Sequence, residues 1–130
     1  MLNYGKPNYL GDGLTAALGD TELDLLVIDN QEMLTESQLG VYINLSAIGS
    51  NTTVNIKYYC RFEVGGDWYE LPYRNEGTGV LSSLPTELTA AAKFIDSLPL
   101  PPCLAFKVTA IGDNAADDGA IAVTLLGRNN

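Results

Sequence analysis

Histidine is absent from the 130 residues. That removes Ser-His-Asp and Cys-His nucleophilic catalysis, histidine-ligated zinc and haem, and the usual proton shuttle near neutral pH. Cysteine occurs twice, at Cys60 and Cys103, too few for a disulfide scaffold. Positive charge is scarce: seven Lys and Arg stand against sixteen Asp and Glu, for a net charge of −9 and a pI near 4.1. Unassisted binding to a phosphate backbone is therefore disfavoured, and no nucleic-acid partner is expected. No apolar run approaches the ~20 residues of a membrane-spanning helix. The opening MLNYGKP has one cation and is followed by no apolar run of signal length, and neither end carries a lipidation motif. Synthesis in a cytoplasm, with the chain staying there or leaving as part of a larger particle and without a membrane partner, is the expectation. The sequons Asn44-Leu45-Ser46 and Asn51-Thr52-Thr53 carry no meaning without a secretory route.

What is present is apolar alternation broken by turns. Hydrophobic residues make up 46% of the chain and charged residues 18%, enough for one domain to bury a core. Residues 1–20 contain Pro7 and the turn-like Gly11-Asp12-Gly13, and read as an irregular arm. Residues 1–40 carry seven acids against Lys6 alone. Thr21 to Asp29 reads as a strand that alternates and then becomes a short apolar run. Val41, Ile43, Leu45 and Ala47 share one face of the next strand. Val54, Ile56, Tyr58, Cys60, Phe62 and Val64 share a face of the clearest one, a long half-buried antiparallel strand.

Gly65-Gly66-Asp67 signals a hairpin, with Trp68 to Tyr73 returning as the partner. Residues 84–98 are two-sided. Leu84, Leu88, Ala91, Ala92 and Ile95 have helical spacing, with Ser83 as a cap and Pro85 in the first turn, yet Ala92 to Leu98 also suits a strand. A short helix or turn running into an extended segment is the expectation. Leu104, Phe106, Val108 and Ala110, then Ile121, Val123 and Leu125, define two last strands around the polar loop GDNAADDG. The sum is an all-β, antiparallel two-sheet β-sandwich over 21–130, Ig-like or jelly-roll-like, with about seven strands behind the 1–20 arm. Cys60 belongs to its core; two buried free thiols are favoured over a bridge, since Cys103 follows two prolines on the opposite parity from Phe106.

No catalytic constellation emerges, and no enzyme activity, cofactor or metal is expected. Asp113, Asn114, Asp117 and Asp118 superficially resemble a calcium loop, but the spacing departs from the EF-hand and no bidentate Glu follows. Asp20, Glu22, Asp24 and Asp29 read as a solvated face rather than a glycosidase pair. Gly11-Asp12-Gly13 lacks the Gly-Lys-Ser/Thr of a phosphate loop. Two features invite binding instead. Tyr59, Trp68, Tyr69 and Tyr73 cluster on the predicted hairpin, either as a glycan platform or as ordinary cross-strand and core aromatics. Leu2, Tyr4, Tyr9 and Leu10 place large apolar groups on the arm, which docks either on its own domain or on a neighbouring subunit.

The stretch VNIKYYCRFEVGGDWYEL (54–71) and the ending LAFKVTAIGDNAADDGAIAVTLLGR (104–128) resemble small β-sandwich structural proteins of tailed-phage virions, the capsid decoration, auxiliary and neck-associated proteins. The resemblance implies a non-enzymatic virion protein that binds the major capsid protein or another virion protein through its arm or a sandwich face. It implies a homo-oligomer or many copies per particle, and assigns no site residue. The alternative is a carbohydrate-binding or receptor-recognition β-sandwich using the aromatic cluster.

Overall fold

The computed structural model describes residues 8–29, 36–71, 73–74, 81–82 and 86–128. Among them are eleven strands and no helix: β1 (Asn8–Leu18), β2 (Leu23–Asp29), β3 (Gln38–Ala47), β4 (Val54–Arg61), β5 (Tyr69–Glu70), β6 (Tyr73–Arg74), β7 (Leu81–Ser82), β8 (Thr86–Leu88), β9 (Ala92–Pro99), β10 (Ala105–Ile111) and β11 (Gly119–Arg128). Seven are long, and four have only two or three residues. One sheet runs β1-β11-β3-β9-β6-β7; the other runs β2-β10-β4-β5, with β8 also paired to β4.

The pairing is nested. The strands β1 and β11, β2 and β10, β3 and β9, and β4 with β5 and β8 form successive antiparallel pairs. The two halves of the chain thus make one long antiparallel ladder, folded over so that β11 also meets β3 and β10 also meets β4. This is jelly-roll order, which decides between the two sandwich types that alternation alone allows.

Period two dictates which side chains meet. Val54, Ile56, Tyr58 and Cys60 from β4 are buried against Val41, Ile43 and Leu45 from β3 and Ile121, Val123 and Leu125 from β11. Tyr58 stacks on Phe106 with ring centroids 6.3 Å apart. Its hydroxyl donates to buried Asp96 across the sandwich, and Thr86 Oγ1 donates to the same carboxylate at 2.8 Å. A buried carboxylate needs such donors.

Three expectations change, and a fourth finds its cause. Residues 8–18 are no irregular arm: they form β1, a full strand on β11. Its alternation is hidden because glycine occupies an inward position. A Cβ on Gly13 would lie 1.8 Å from the Leu25 carbonyl oxygen, so glycine is what lets β1 and β2 approach. The helix weighed for residues 84–98 is replaced, over its described part, by β8 and β9; Leu84, Ser83 and Pro85 lie outside the described residues. Ala91, Ala92 and Ile95 are exposed, while Asp96 and Leu98 turn inward at period two, so the helical spacing has no apolar face to bury. Strand β4 ends at Arg61, which leaves Phe62 and Val64 exposed rather than in the core. In β2 the register slips by one residue at Leu25, so Leu25, Leu26 and Ile28 all reach the core, which accounts for the short apolar run.

Candidate functional site

The chemistry-bearing residues fall into three places: one loop end and the outer faces of the two sheets. At the loop end, the β3–β4 and β10–β11 connections are fastened together. Asp113 accepts from the Thr52 amide (2.7 Å) and Thr53 Oγ1 (3.3 Å); Asp118 accepts from the Ser50 amide (2.8 Å) and Ser50 Oγ (2.6 Å). The Thr52 amide chiefly holds the Asp113 carboxyl below its ordinary value, and the Ser50 hydroxyl does so for Asp118. Asn51, only 5% exposed, sits between the loops with all its polar atoms bonded. Asp113 and Asp118 of the calcium-like loop are thus committed to loop–loop hydrogen bonds, and burial of Asn51 closes that sequon to modification in the folded chain.

The outer face of the β2-β10-β4 sheet is a mosaic of paired charges and rings. Lys57 faces Glu22 at 3.9 Å, Lys107 faces Asp24 at 3.4 Å, and Arg61 pairs with Asp29. Tyr59 and Trp68, expected on one face, are brought together: Lys107 Nζ lies 5.3 Å from the Tyr59 ring and 4.8 Å from the Trp68 ring, with Arg61 also 4.8 Å from Trp68. Partial burial and the neighbouring Glu22 and Glu70 push the Tyr59 hydroxyl up to about 12. Every cation here has a carboxylate, and the indole already carries two cations, which is how a solvated face satisfies itself. Tyr69 stands apart, exposed and tilted against Phe62 at 5.7 Å, above a shallow depression of about 250 Å³ that Glu63, Gly66 and Asp67 complete. The Tyr73 side chain lies outside the described residues.

The outer face of the β1-β11-β3-β9 sheet is different in kind. Leu14 (79% exposed), Tyr9 (62%), Ile95 (46%) and Tyr42 (43%) stand on it. Ala122, Thr124 and Leu126 of β11, and Gly40, Asn44 and Ser97, fill the rows between them by register. On these four strands the described residues put three charges there by register: Asp12 on β1, Lys93 on β9 and Arg128 at the strand end. Tyr9 donates to Asp12, which raises the tyrosine pKa. This face was invisible in the sequence, because Tyr42 and Asn44 read singly as ordinary outward residues and Ile95 as part of a helical spacing. Only the register places them side by side.

The proposed arm residues separate. Leu2 and Tyr4 lie outside the described residues. A bulge between Tyr9 and Gly11 turns Leu10 inward against its own core, beside Gly127, and leaves Tyr9 on the apolar face. Cys60 and Cys103 are free and buried. Opposite parity does not keep them apart, because the chain turns just before β10 and Leu104 N donates to the Arg61 carbonyl at 2.9 Å. Burial, then the neighbouring Cys103, pushes the Cys60 thiol up to about 11, and burial likewise raises Cys103.

No protein-family pattern matches the sequence, and no curated protein matches it. The fold does have likenesses among solved structures. The SPBc2 prophage-derived protein YomS superposes with a TM-score of 0.53 at 16% identity, over 93% of this chain and 95% of that one. PirA superposes with a TM-score of 0.54 at 13% identity, over 88% and 91%. A chain of the T13 particle of infectious bursal disease virus gives 0.52 at 9% identity; 96% of this chain is covered, but only 32% of the viral one. At these identities the likeness is one of fold: a two-sheet antiparallel β-sandwich that also occurs in a prophage-derived protein and in a viral particle.

Proposed function

We propose that this chain is a non-enzymatic structural protein of a phage virion, a capsid decoration or auxiliary protein present in many copies. The observation that carries this reading is the apolar outer face of the β1-β11-β3-β9 sheet on a chain of net charge −9. Contiguous exposed apolar area of this kind marks a protein–protein surface. The partner is a virion protein, the major capsid protein or another component, and the location is the assembled particle. Acids concentrated away from that face keep a crowded particle soluble and repel nucleic acid. The fold likeness to a prophage-derived protein and to a viral particle chain is compatible with this and adds no residue-level site.

The test is a density gradient of virions from a host carrying the gene. Support is the chain banding with intact particles at a fixed ratio to the shell protein. Its retention at the top of the gradient, with particles complete without it, would refute the proposal. A second reading, a carbohydrate-binding or receptor-recognition module, is favoured by one observation: Phe62 and Tyr69 present exposed rings beside Glu63 and Asp67. A glycan array with no hits, or hits that survive Tyr69→Ala, would dispose of it.

A further inference from the structure

We infer that the apolar face of the β1-β11-β3-β9 sheet is covered by the same face of a second copy of this chain, about a twofold axis running parallel to the strands between β11 and β3. The inference rests on the reading of that face as an assembly surface and names its occupant, another copy of the same component, so that attachment to other virion proteins falls to the rest of the dimer's surface.

The register supplies the argument. A rotation about such an axis keeps each residue at its own height and exchanges β1 with β9 and β11 with β3. Each cross-strand row therefore meets itself reversed. In one row, Thr124 of one copy lies over Tyr42 of the other, and Asp12 lies over Ile95. In the next, Leu14 lies over Lys93 and Ala122 over Asn44. At the other side, Leu126 lies over Gly40, where the Tyr42 ring leans to within 3.9 Å of the position a Cβ would take and offers a flat apolar surface. Asp12 and Lys93 lie on opposite outer strands of the four and one row apart. The rotation sets each about 7 Å along the strand from its opposite charge on the other copy, an offset that a lysine side chain can span across the packed faces. A face with its single acid and its mid-face base arranged in this way complements itself.

The size fits. Four strands ~4.8 Å apart and ~10 residues long present ~600 Å² per copy, so two copies bury ~1,200 Å², the lower edge of a stable interface. Sheet faces pack in this aligned manner inside sandwiches, with side chains of about this bulk between them. An area of that class belongs to a dissociable contact rather than a permanent dimer.

Sedimentation equilibrium on the full chain over ~1–100 µM tests this, since an interface at that edge of the range is expected to dissociate there. The expected result is a reversible species at twice the 13.9 kDa chain mass. Ile95→Glu, set against Asp12 of the other copy, and Leu126→Asp each place an uncompensated charge in the buried face and weaken association at least ~tenfold. Val27→Glu, on the outer face of the other sheet, leaves it unchanged. Circular dichroism checks that each variant folds; should one fail, Leu14→Lys, on a strand side chain already 79% exposed and set over Lys93 of the other copy, takes its place. A wild-type monomer throughout, or a dimer indifferent to the face variants and broken by Val27→Glu, overturns the inference. Those outcomes leave virion attachment standing if the chain still bands with particles. A dimer with the expected variant pattern that never joins a particle upholds the inference and refutes the virion reading.

Discussion

Asn51→Ala isolates the joint that holds the loop end together. The Asn51 amide nitrogen donates to the carbonyls of Leu18 (3.1 Å) and Ile48 (2.9 Å), and its oxygen accepts from the amides of Asp113 (2.9 Å) and Asn114 (3.0 Å). One side chain thus ties the end of β1, the β3–β4 turn and the β10–β11 loop. Removing it takes four bonds worth about 1 kcal/mol each, and relief of the side chain's lost rotamer freedom returns about 1, leaving a loss of about 3 kcal/mol. For a chain of this size that lowers the melting temperature by about 10 °C. Urea unfolding followed by Trp68 fluorescence should show a lower midpoint at unchanged slope. Asn51→Asp separates hydrogen bonding from space filling. It keeps the shape and the acceptor, but sets a carboxylate oxygen against two carbonyl oxygens. The expectation is a loss at least as large as for alanine. An Asn51→Asp protein within about 0.5 kcal/mol of wild type would mean that the donations to Leu18 and Ile48 contribute nothing net, and the account of the joint would fail.

Three further outcomes are expected. Asp113 and Asp118 have lowered folded-state pKa values, so their contribution to stability is present above the unfolded carboxylate value near pH 4 and is lost as pH falls through the folded values; acid titrations of Asp113→Asn and Asp118→Asn should show a shallower fall below pH ~4 than wild type, and an unchanged acid limb would remove both from the list of contributors. With Cys60 pushed up to about 11 and both thiols buried, an aromatic disulfide reagent at pH ~8 should find no reactive thiol in the native chain and two in urea; prompt native labelling would contradict the burial. Gly13→Ala drives a Cβ into the Leu25 carbonyl, a backbone atom that cannot turn aside, and should cost about 2 kcal/mol in chemical denaturation, whereas Gly65→Ala meets no neighbouring atom and loses only what its positive φ imposes.

Much of the sandwich was legible because β3, β4, β10 and β11 are half-buried strands, for which period two and burial say the same thing. Alternation from Val54 to Cys60 and from Ile121 to Leu125 matches the buried set residue for residue. The misreadings have local causes. In β1 the positions nearest β2 are glycines, so a strand packed by backbone approach looks like a turn-rich lead-in. In β2 a bulge breaks the period at Leu25. In β9 exposed alanines mimic a helix while a buried carboxylate, Asp96, occupies an inward position that a hydrophobicity pattern assigns outward. Asp96 is understandable only with the Tyr58 hydroxyl and Thr86 beside it, two contacts separated from it by 38 and 10 residues in the chain. The pairing of Tyr59 with Trp68 could be anticipated from the hairpin, but the cations that cover the indole come partly from β10, and no local pattern announces Lys107 as their neighbour. The apolar face needed four strands in register at once.

The way the sheets guard their margins bears on how copies can meet. Open strand edges invite pairing with another chain, and proteins blunt them with bulges, short strands and charges. Strand β1 is a long edge, yet its ladder with β11 slips twice, between Tyr9 and Gly11 and between Thr15 and Leu18, which twists the margin away from a straight template. Strand β2 at the edge of the other sheet also slips and carries Asp24 and Asp29. At the far side β4 is covered by β5 and β8, three residues or fewer each. Edge-to-edge growth is therefore hindered at each of these margins, and the paired charges of Lys57, Arg61 and Lys107 make the β2-β10-β4 face costly to dehydrate. The β1-β11-β3-β9 face alone combines exposed Leu14, Tyr42 and Ile95 with few charges. A closed, face-to-face contact follows from that distribution more readily than a filament, because a face that meets itself about a twofold axis is used up by one partner.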